Sequence, residues 1–217
     1  MIRGMLTYYS ANSSYVLEQF TRHFLISIYG VLIAAVVGIP LGFFISKRYK
    51  LSNTIIGFAN VLQTVPSLAM LAILMLAMGI GSNTVIMAVF LYSLLPILKN
   101  TTTGINSISP DIVDAAKGMG MTRLQSIIKV ELPLCLSVIM GGIRNALVVA
   151  IGVTAIGTFI GAGGLGDIIS RGVNVAHGYS IILAGALPTA LMAILSDLLL
   201  GFLEKKLMPN TGYKIKK

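Results

Sequence analysis

Two opposite charges stand inside stretches that otherwise carry none. Arg144 lies about ten residues into one apolar run, and Asp197 about seven residues before the end of another. A lone charge roughly 10–15 Å deep in hydrocarbon is costly, and such residues normally pair or face the interior of a bundle. An Arg144–Asp197 ion pair is therefore expected, in a structural role. A proton relay would need further acidic residues at that depth, and their scarcity argues against ion-coupled transport.

Other chemistry-bearing sets dissolve on inspection. His23 and His177 are far apart and fall near the ends of apolar runs, where they read as interfacial polar residues rather than metal ligands. No metal site is expected. The single cysteine, Cys135, offers neither a disulfide nor a zinc set and reads as a small apolar residue at a helix start. Gly161, Gly163 and Gly166 have the spacing of a dinucleotide loop, which needs a preceding strand and a following helix N-terminus. An apolar span precedes them, so a closely packed or flexible turn is the reading. The chain contains no G-x-x-x-x-G-K-[ST], so no nucleotide cofactor is expected in it.

The elements that must position these residues follow from composition. Of the 217 residues, 56% are hydrophobic and only 11% charged, and the mean hydropathy is +0.90. A soluble domain averages about 25% charged residues, so an integral membrane protein with one domain over residues 1–217 is expected. The net charge of +9 is dispersed in short groups between apolar runs. That is a pattern of topology signals, with membrane lipid as the environment, and not a nucleic-acid surface. Residues 1–20 lack an apolar stretch behind a basic start, so insertion is expected to rely on the spans themselves.

From Phe24 to Ser46 no charge occurs, and Lys47, Arg48 and Lys50 follow. Leu51 to Leu98 is again free of Asp, Glu, Lys and Arg, about 70 Å if helical, or two crossings. Gly79-Ile80-Gly81-Ser82-Asn83 marks the turn between them. The expected fold is an all-α bundle of about five transmembrane helices, at roughly 24–46, 55–77, 84–98, 134–160 and 181–203. Lys47, Arg48, Lys50, Lys99, Lys117, Arg123, Lys129 and the C-terminal lysines then share one side, against Arg3, Arg22 and Arg171 on the other. This places the N-terminus outside, and the 99–133 loop and the C-terminus in the cytoplasm of a multi-pass plasma-membrane protein.

Prolines 40, 66, 96 and 188 fall within spans, where each removes a backbone hydrogen bond. Pro66, with Gln63, Thr64 and Ser67 beside it, is the first candidate for an unwound turn. Gln63, Ser67, Tyr92, Asn145 and Thr154 are expected to line a pathway. Gly38/Gly42 and Gly157/Gly161 are small-xxx-small pairs suited to close helix packing, within the chain or in a dimer.

The charged segment before the fourth span reads as two short helices. Ser109, Pro110 and Asp111 suit a helix start, and Gly118 and Gly120 a stop. Thr122 and Gln125 form a capping box for a second helix with apolar Leu124, Ile127, Ile128 and Val130, closed by Pro133. Here Asp114-Ala115-Ala116, three residues, Gly120, nine residues, Val130, one residue and Leu132-Pro133 resemble the EAA loop of ATP-binding-cassette import permeases, with Asp for Glu and Val for Ile. Gln63-Thr64-Val65-Pro66-Ser67-Leu68, Tyr92 to Asn100 and Phe159 to Asp167 are similar to osmoprotectant importers for glycine betaine, carnitine and choline. Ala162 stands where Gly is usual. Methionine importers share the glycine run and the five-span size and are the alternative.

The resemblance implies a type I importer permease that is not an enzyme. It implies coupling through Asp114, Ala115, Ala116, Gly118, Gly120, Leu132 and Pro133 to separate ATPase subunits that bind the ATP. A second permease, a distinct homologue in preference to a copy, and an extracytoplasmic binding protein complete the expected assembly. An ion-coupled secondary transporter would need an intramembrane ion site, and a non-transporting scaffold would not need the loop.

Overall fold

A computed structural model describes residues 1–207. Lys214, Lys216 and Lys217 of the basic tail, and the C-terminal end of the expected 1–217 domain, lie outside the described residues. The described chain is helical throughout: α1 (Ile2–Ala11), α2 (Ser13–Ser46), α3 (Tyr49–Thr64), α4 (Ser67–Met78), α5 (Ser82–Asn106), α6 (Pro110–Gly118), α7 (Arg123–Ser126), α8 (Leu132–Ile156), α9 (Leu165–Val173) and α10 (Tyr179–Leu207). A π-helical turn, Ile127–Glu131, joins α7 to α8, and a 3₁₀ turn, Gly157–Ile160, follows α8.

Four helical stretches are long and apolar enough to cross a membrane: Ser13–Ser46, Ser82–Asn106, Arg123–Ile160 and Tyr179–Leu207. The second expected span, 55–77, is not one rod. α3 and α4 meet at a bend of 100°. Val65 is extended (φ −67°, ψ 126°) because the ring of Pro66 disfavours a helical residue before it. Pro40, Pro96 and Pro188 lie inside continuous helices instead. The other expected ends also move outward. α2 begins well before residue 24, and α5 runs to Asn106, so that the loop expected from 99 starts about two turns later.

α2, α5 and α8 form the core. Small residues let them approach closely: Ala34, Ala88, Ala146 and Ala150 are fully buried among Val85, Val89 and Ile151. A methyl group added at Gly30 would fall 2.3 Å from Val89 Cγ1, and one at Gly42 would fall 2.7 Å from Thr101 Cγ2. Gly38 faces Ile97 in the same seam. The Gly38/Gly42 pair therefore serves packing of α2 on α5 within the chain, where the sequence left a dimer contact open. Gly157 likewise abuts Val85.

α1, ten residues long, lies along the start of α10. Tyr9 Oη donates to Ala184 O at 3.0 Å and Ser180 Oγ donates to Met1 O at 3.2 Å.

Candidate functional site

At one end of the bundle the chain builds a compact knob. α6 buries Val113 against Phe43, Ile105, Ile108, Cys135 and Ile139, buries Ala116 one turn on, and exposes Asp114, Ala115, Lys117 and Gly118. Asp114 accepts from Lys117 Nζ at 2.8 Å, one turn away. Gly120 adopts φ +76°, a left-handed conformation that stops the helix and that a side chain would strain. The Thr122–Gln125 capping box is present, with Gln125 N donating to Thr122 Oγ1 and Thr122 N donating to Gln125 Oε1. Ser109 occupies the N-cap of α6 without bonding to its backbone.

The second helix departs from expectation in two ways. Pro133 does not close it. The chain continues from α7 through the π turn into α8, Pro133 sits in the first turn of α8, and Leu132 N–H donates to Ile127 O across the wider ring. The apolar face is also turned outward. Leu124 is 65% and Ile128 55% exposed, while Ile127 and Val130 are half-buried. Together with Met119, also exposed, they give the knob an apolar crown.

What faces inward is Glu131, which is fully buried. Its Oε1 accepts from Arg123 Nη1 at 2.6 Å and Ser126 Oγ at 3.2 Å, and Lys47 Nζ lies 3.9 Å from Oε2. One carboxylate thus ties the knob to the end of α2. Glu131 sits at the unspecified position of the loop pattern, where no spacing marks it.

In the bundle, the structure brings Arg144 and Asp197 together. Arg144 Nε and Nη2 donate to Asp197 Oδ1 and Oδ2 at 2.8 and 2.9 Å, a fork-to-fork pairing. Glu204 joins them, accepting from Arg144 Nη1 at 3.0 Å and from Ser137 Oγ at 2.6 Å. Gly201 leaves room for the guanidinium, since a Cβ there would lie 3.2 Å from Arg144 Cζ. α8 and α10 are thereby pinned at two levels, two turns apart.

The residues expected along a pathway separate into two groups. Gln63 and Asn145, with Leu95, Pro96, Lys99, Asn100, Thr103 and Val149, line a polar cleft of about 380 Å³ between α3, α5 and α8. Gly141, Asn145, Val148 and Gly152 repeat at helical spacing on the side of α8 that no other element covers, and added methyls at the two glycines would meet nothing within 4 Å. Tyr92 and Thr154 do not fit a pathway. Tyr92 is buried, its hydroxyl donating to Val65 O in the α3–α4 break, while Gln63 Nε2 donates to Tyr92 O at 2.7 Å. Thr154 is fully buried, 2.9 Å from Ser27 Oγ of α2. Polarity marked both residues, but their hydroxyls are engaged in helix packing. Ser67 is half-buried at the start of α4.

At the opposite end, the glycine run is clasped by α2. Gly161, Gly163 and Gly164 have φ of +75°, +70° and +86°. Gly164 N–H donates to Gln19 Oε1 at 2.7 Å and Leu165 N–H to His23 Nδ1 at 3.2 Å. His23 Nε2, which must then carry the proton, donates to Ile151 O at 3.0 Å. His23 is fully buried, and the interfacial role expected of it is wrong. Its partners are more than a hundred residues away, and no local pattern signals them. Tyr15 Oη and Arg171 Nε both donate to Asp167, extending the clasp to α9. Among the described residues no group of His, Cys, Asp or Glu could hold a metal ion.

The family described as "Binding-protein-dependent transport system inner membrane component" matches residues 24–209. The glycine betaine/carnitine/choline transport system permease protein OpuCD of Bacillus subtilis (strain 168) is 62% identical over 209 residues, 96% of this chain and 91% of that one. The permease protein OpuCB of the same system and organism is 39% identical over 206 residues, 95% of this chain and 94% of that one. Among solved structures, an inward-facing MetNI methionine ABC transporter chain superposes with a TM-score of 0.81 at 18% identity, covering 89% of this chain and 96% of the other.

Proposed function

This chain belongs to the family of binding-protein-dependent transport system inner membrane components, and on that premise we propose that it is the permease subunit of an importer for quaternary-amine osmoprotectants. It is a multi-pass membrane protein and a transport component. The observation that carries the substrate class is the 62% identity, over nearly the whole length, to a glycine betaine/carnitine/choline permease. The methionine transporter's 18% identity speaks for the fold alone.

The knob of α6 and α7 is the docking element for a separate ATPase subunit, which binds and hydrolyses the ATP. Supporting this are its buried anchors Val113 and Ala116, its outward apolar crown of Met119, Leu124 and Ile128, and the φ of Gly120. Asp114, Ala115 and Gly118 lie on its open surface, Ala116 anchors it, and Leu132 and Pro133 lead into α8. Because α7, the π turn and α8 form one continuous helical path, displacement of the knob moves α8 directly. Closure of the ATPases would favour one orientation of that path over the other, a population shift driven by differential affinity.

The second permease would face the uncovered side of α8 and the Gln63–Asn145 cleft, so that the solute passes between two polar surfaces. A distinct homologue is the preferred partner, because the related system has two permease proteins and this chain matches one far better than the other. A binding protein delivers solute at the end carrying the glycine run. The N-terminus lies outside and the knob in the cytoplasm, as the Lys/Arg bias requires.

The test is uptake of labelled glycine betaine at high osmolarity, with and without this chain and with its partners present, competed by carnitine, choline and methionine. Uptake that depends on the chain and yields to quaternary amines supports the reading. Unchanged betaine uptake with lost methionine uptake would overturn the substrate class. Loss of ATPase co-purification in Gly120→Asp would support the docking role, and undiminished co-purification would refute it.

A further inference from the structure

Between the end of α2 and the knob lies a cleft of about 800 Å³, within the size range of small-molecule sites. Its floor is apolar and deep. Ile39, Pro40 and Phe43 line it, and Ile39 sits eight residues, about 12 Å, before Lys47 at the helix end. Its rim is basic: Lys47, Arg48, Lys117 and Arg123 all face it. Lys117 is paired with Asp114, and Arg123 and Lys47 share Glu131. Arg48 has no carboxylate partner among the described residues and instead lies over the ring of Phe44, 4.5 Å from its centroid. Phe44 is itself 56% exposed. Four cations against two carboxylates leave the rim with a surplus of positive charge.

An occupant must therefore be hydrocarbon at depth and anionic at the surface. A soluble ATPase can cover the rim but cannot reach a floor that lies within the spanning part of α2. A free anion has no use for the apolar floor. We propose that this cleft is a binding site for an anionic phospholipid, with an acyl chain against Ile39, Pro40 and Phe43 and the phosphate on Arg48 and Lys47. Basic pockets beside spans on the cytoplasmic side are suited to such headgroups. Because Val113 of α6 and Ile127 of the π turn also line the cleft, the lipid would lie under the knob and wedge it against α2. The site rests on the cytoplasmic placement of the knob, and not on which solute is carried.

The test is made on the assembled transporter with its partners, extracted from membranes containing both phosphatidylglycerol and phosphatidylcholine. Retained lipid is counted by native mass spectrometry without substrate, so a wrong substrate class would leave the result unaffected. The wild type should retain phosphatidylglycerol in preference to phosphatidylcholine. Arg48→Gln should lower retention about fivefold, the effect of removing one basic residue near a charged headgroup. Ile39→Trp, which fills the floor and leaves the rim charges alone, should lower it as well. A photo-cross-linking residue at Phe44 should capture lipid. Equal retention in wild type and Arg48→Gln, no headgroup preference, or capture of the second permease or the ATPase at Phe44 would each overturn the assignment.

Discussion

Glu131 is a carboxylate without solvent, held by Arg123 and Ser126 with Lys47 beside it. Glu131→Gln keeps its volume and removes its charge, which should cost about 2 kcal/mol, the worth of a hydrogen bond to a charged group. Thermal unfolding of the purified complex measures this. Uptake should fall more than ATPase activity, because the knob would remain dockable but loosened from α2. The Arg144 cluster gives a second expectation. Reversing both Arg144 and Asp197 places a carboxylate where Glu204 now meets a guanidinium. The double reversal should therefore restore little of what each single reversal loses, and adding Glu204→Gln should restore more, as read by protein level in the membrane and by uptake. The Arg144–Asp197 contact was legible because two charges in apolar runs must find partners. Glu204 was not, since beside Lys205 and Lys206 it reads as the end of a span. Glu131 escaped for a different reason. In an α-helical repeat Glu131 would share the face of Leu124 and Ile128, and the π turn after Ser126 shifts that phase, so that Glu131 turns in while they point out.

Four prolines look alike in sequence, yet only Pro66 breaks its helix. At Pro96 the carbonyl left free four residues earlier, Tyr92 O, accepts from Gln63 Nε2 of α3 at 2.7 Å, and the helix runs on. At Pro66 the freed carbonyl of Val65 is met by Tyr92 of another helix, a partner that no local pattern can name. The glycine run was legible as a turn, and the need for its glycines is physical. A Cβ on Gly166 would fall 2.0 Å from Ala155 O, which is backbone and cannot yield. Gly166→Ala should therefore destabilise by about 3 kcal/mol or more, at the upper end of overpacking costs. Detergent thermal unfolding of the variant against wild type checks this. What the sequence could not offer was the clasp itself, Gln19 and His23 reaching across from α2.

Taken whole, the chain shows two kinds of uncovered surface. α10 and much of α2 expose large apolar side chains such as Val36, Leu195, Leu198 and Phe202, as a lipid-facing surface would. α8 exposes Asn145 among small residues, a surface poor in both charge and bulk. Hydropathy located the spans but could not sort them into lipid-facing and partner-facing, because both faces are uncharged. Asn145→Cys tests the sorting directly. Cys135, the chain's single cysteine, is buried and gives no background. A water-soluble thiol reagent should label position 145 at a rate that changes several-fold during ATP turnover, whereas a cysteine at Leu198 should stay unlabelled throughout. Labelling at 145 that ignores turnover would remove it from the path.

The π turn, Ile127–Glu131, carries one residue more than an α-helical turn, and this makes it a gear tooth between two shafts. Taking up or releasing that residue advances one shaft by one position, roughly 100° about the axis. The direction in which Leu124 points is thus set by counting and not by flexibility, and chain length alone can retune it. Deleting Lys129, which is in the π turn but not in the crown, should leave α8 inserted and folded while rotating the crown of the knob away from its partner. Protein at normal level in the membrane that no longer captures its ATPase would be the signature, whereas capture at wild-type level would mean that the tooth does not set the aim.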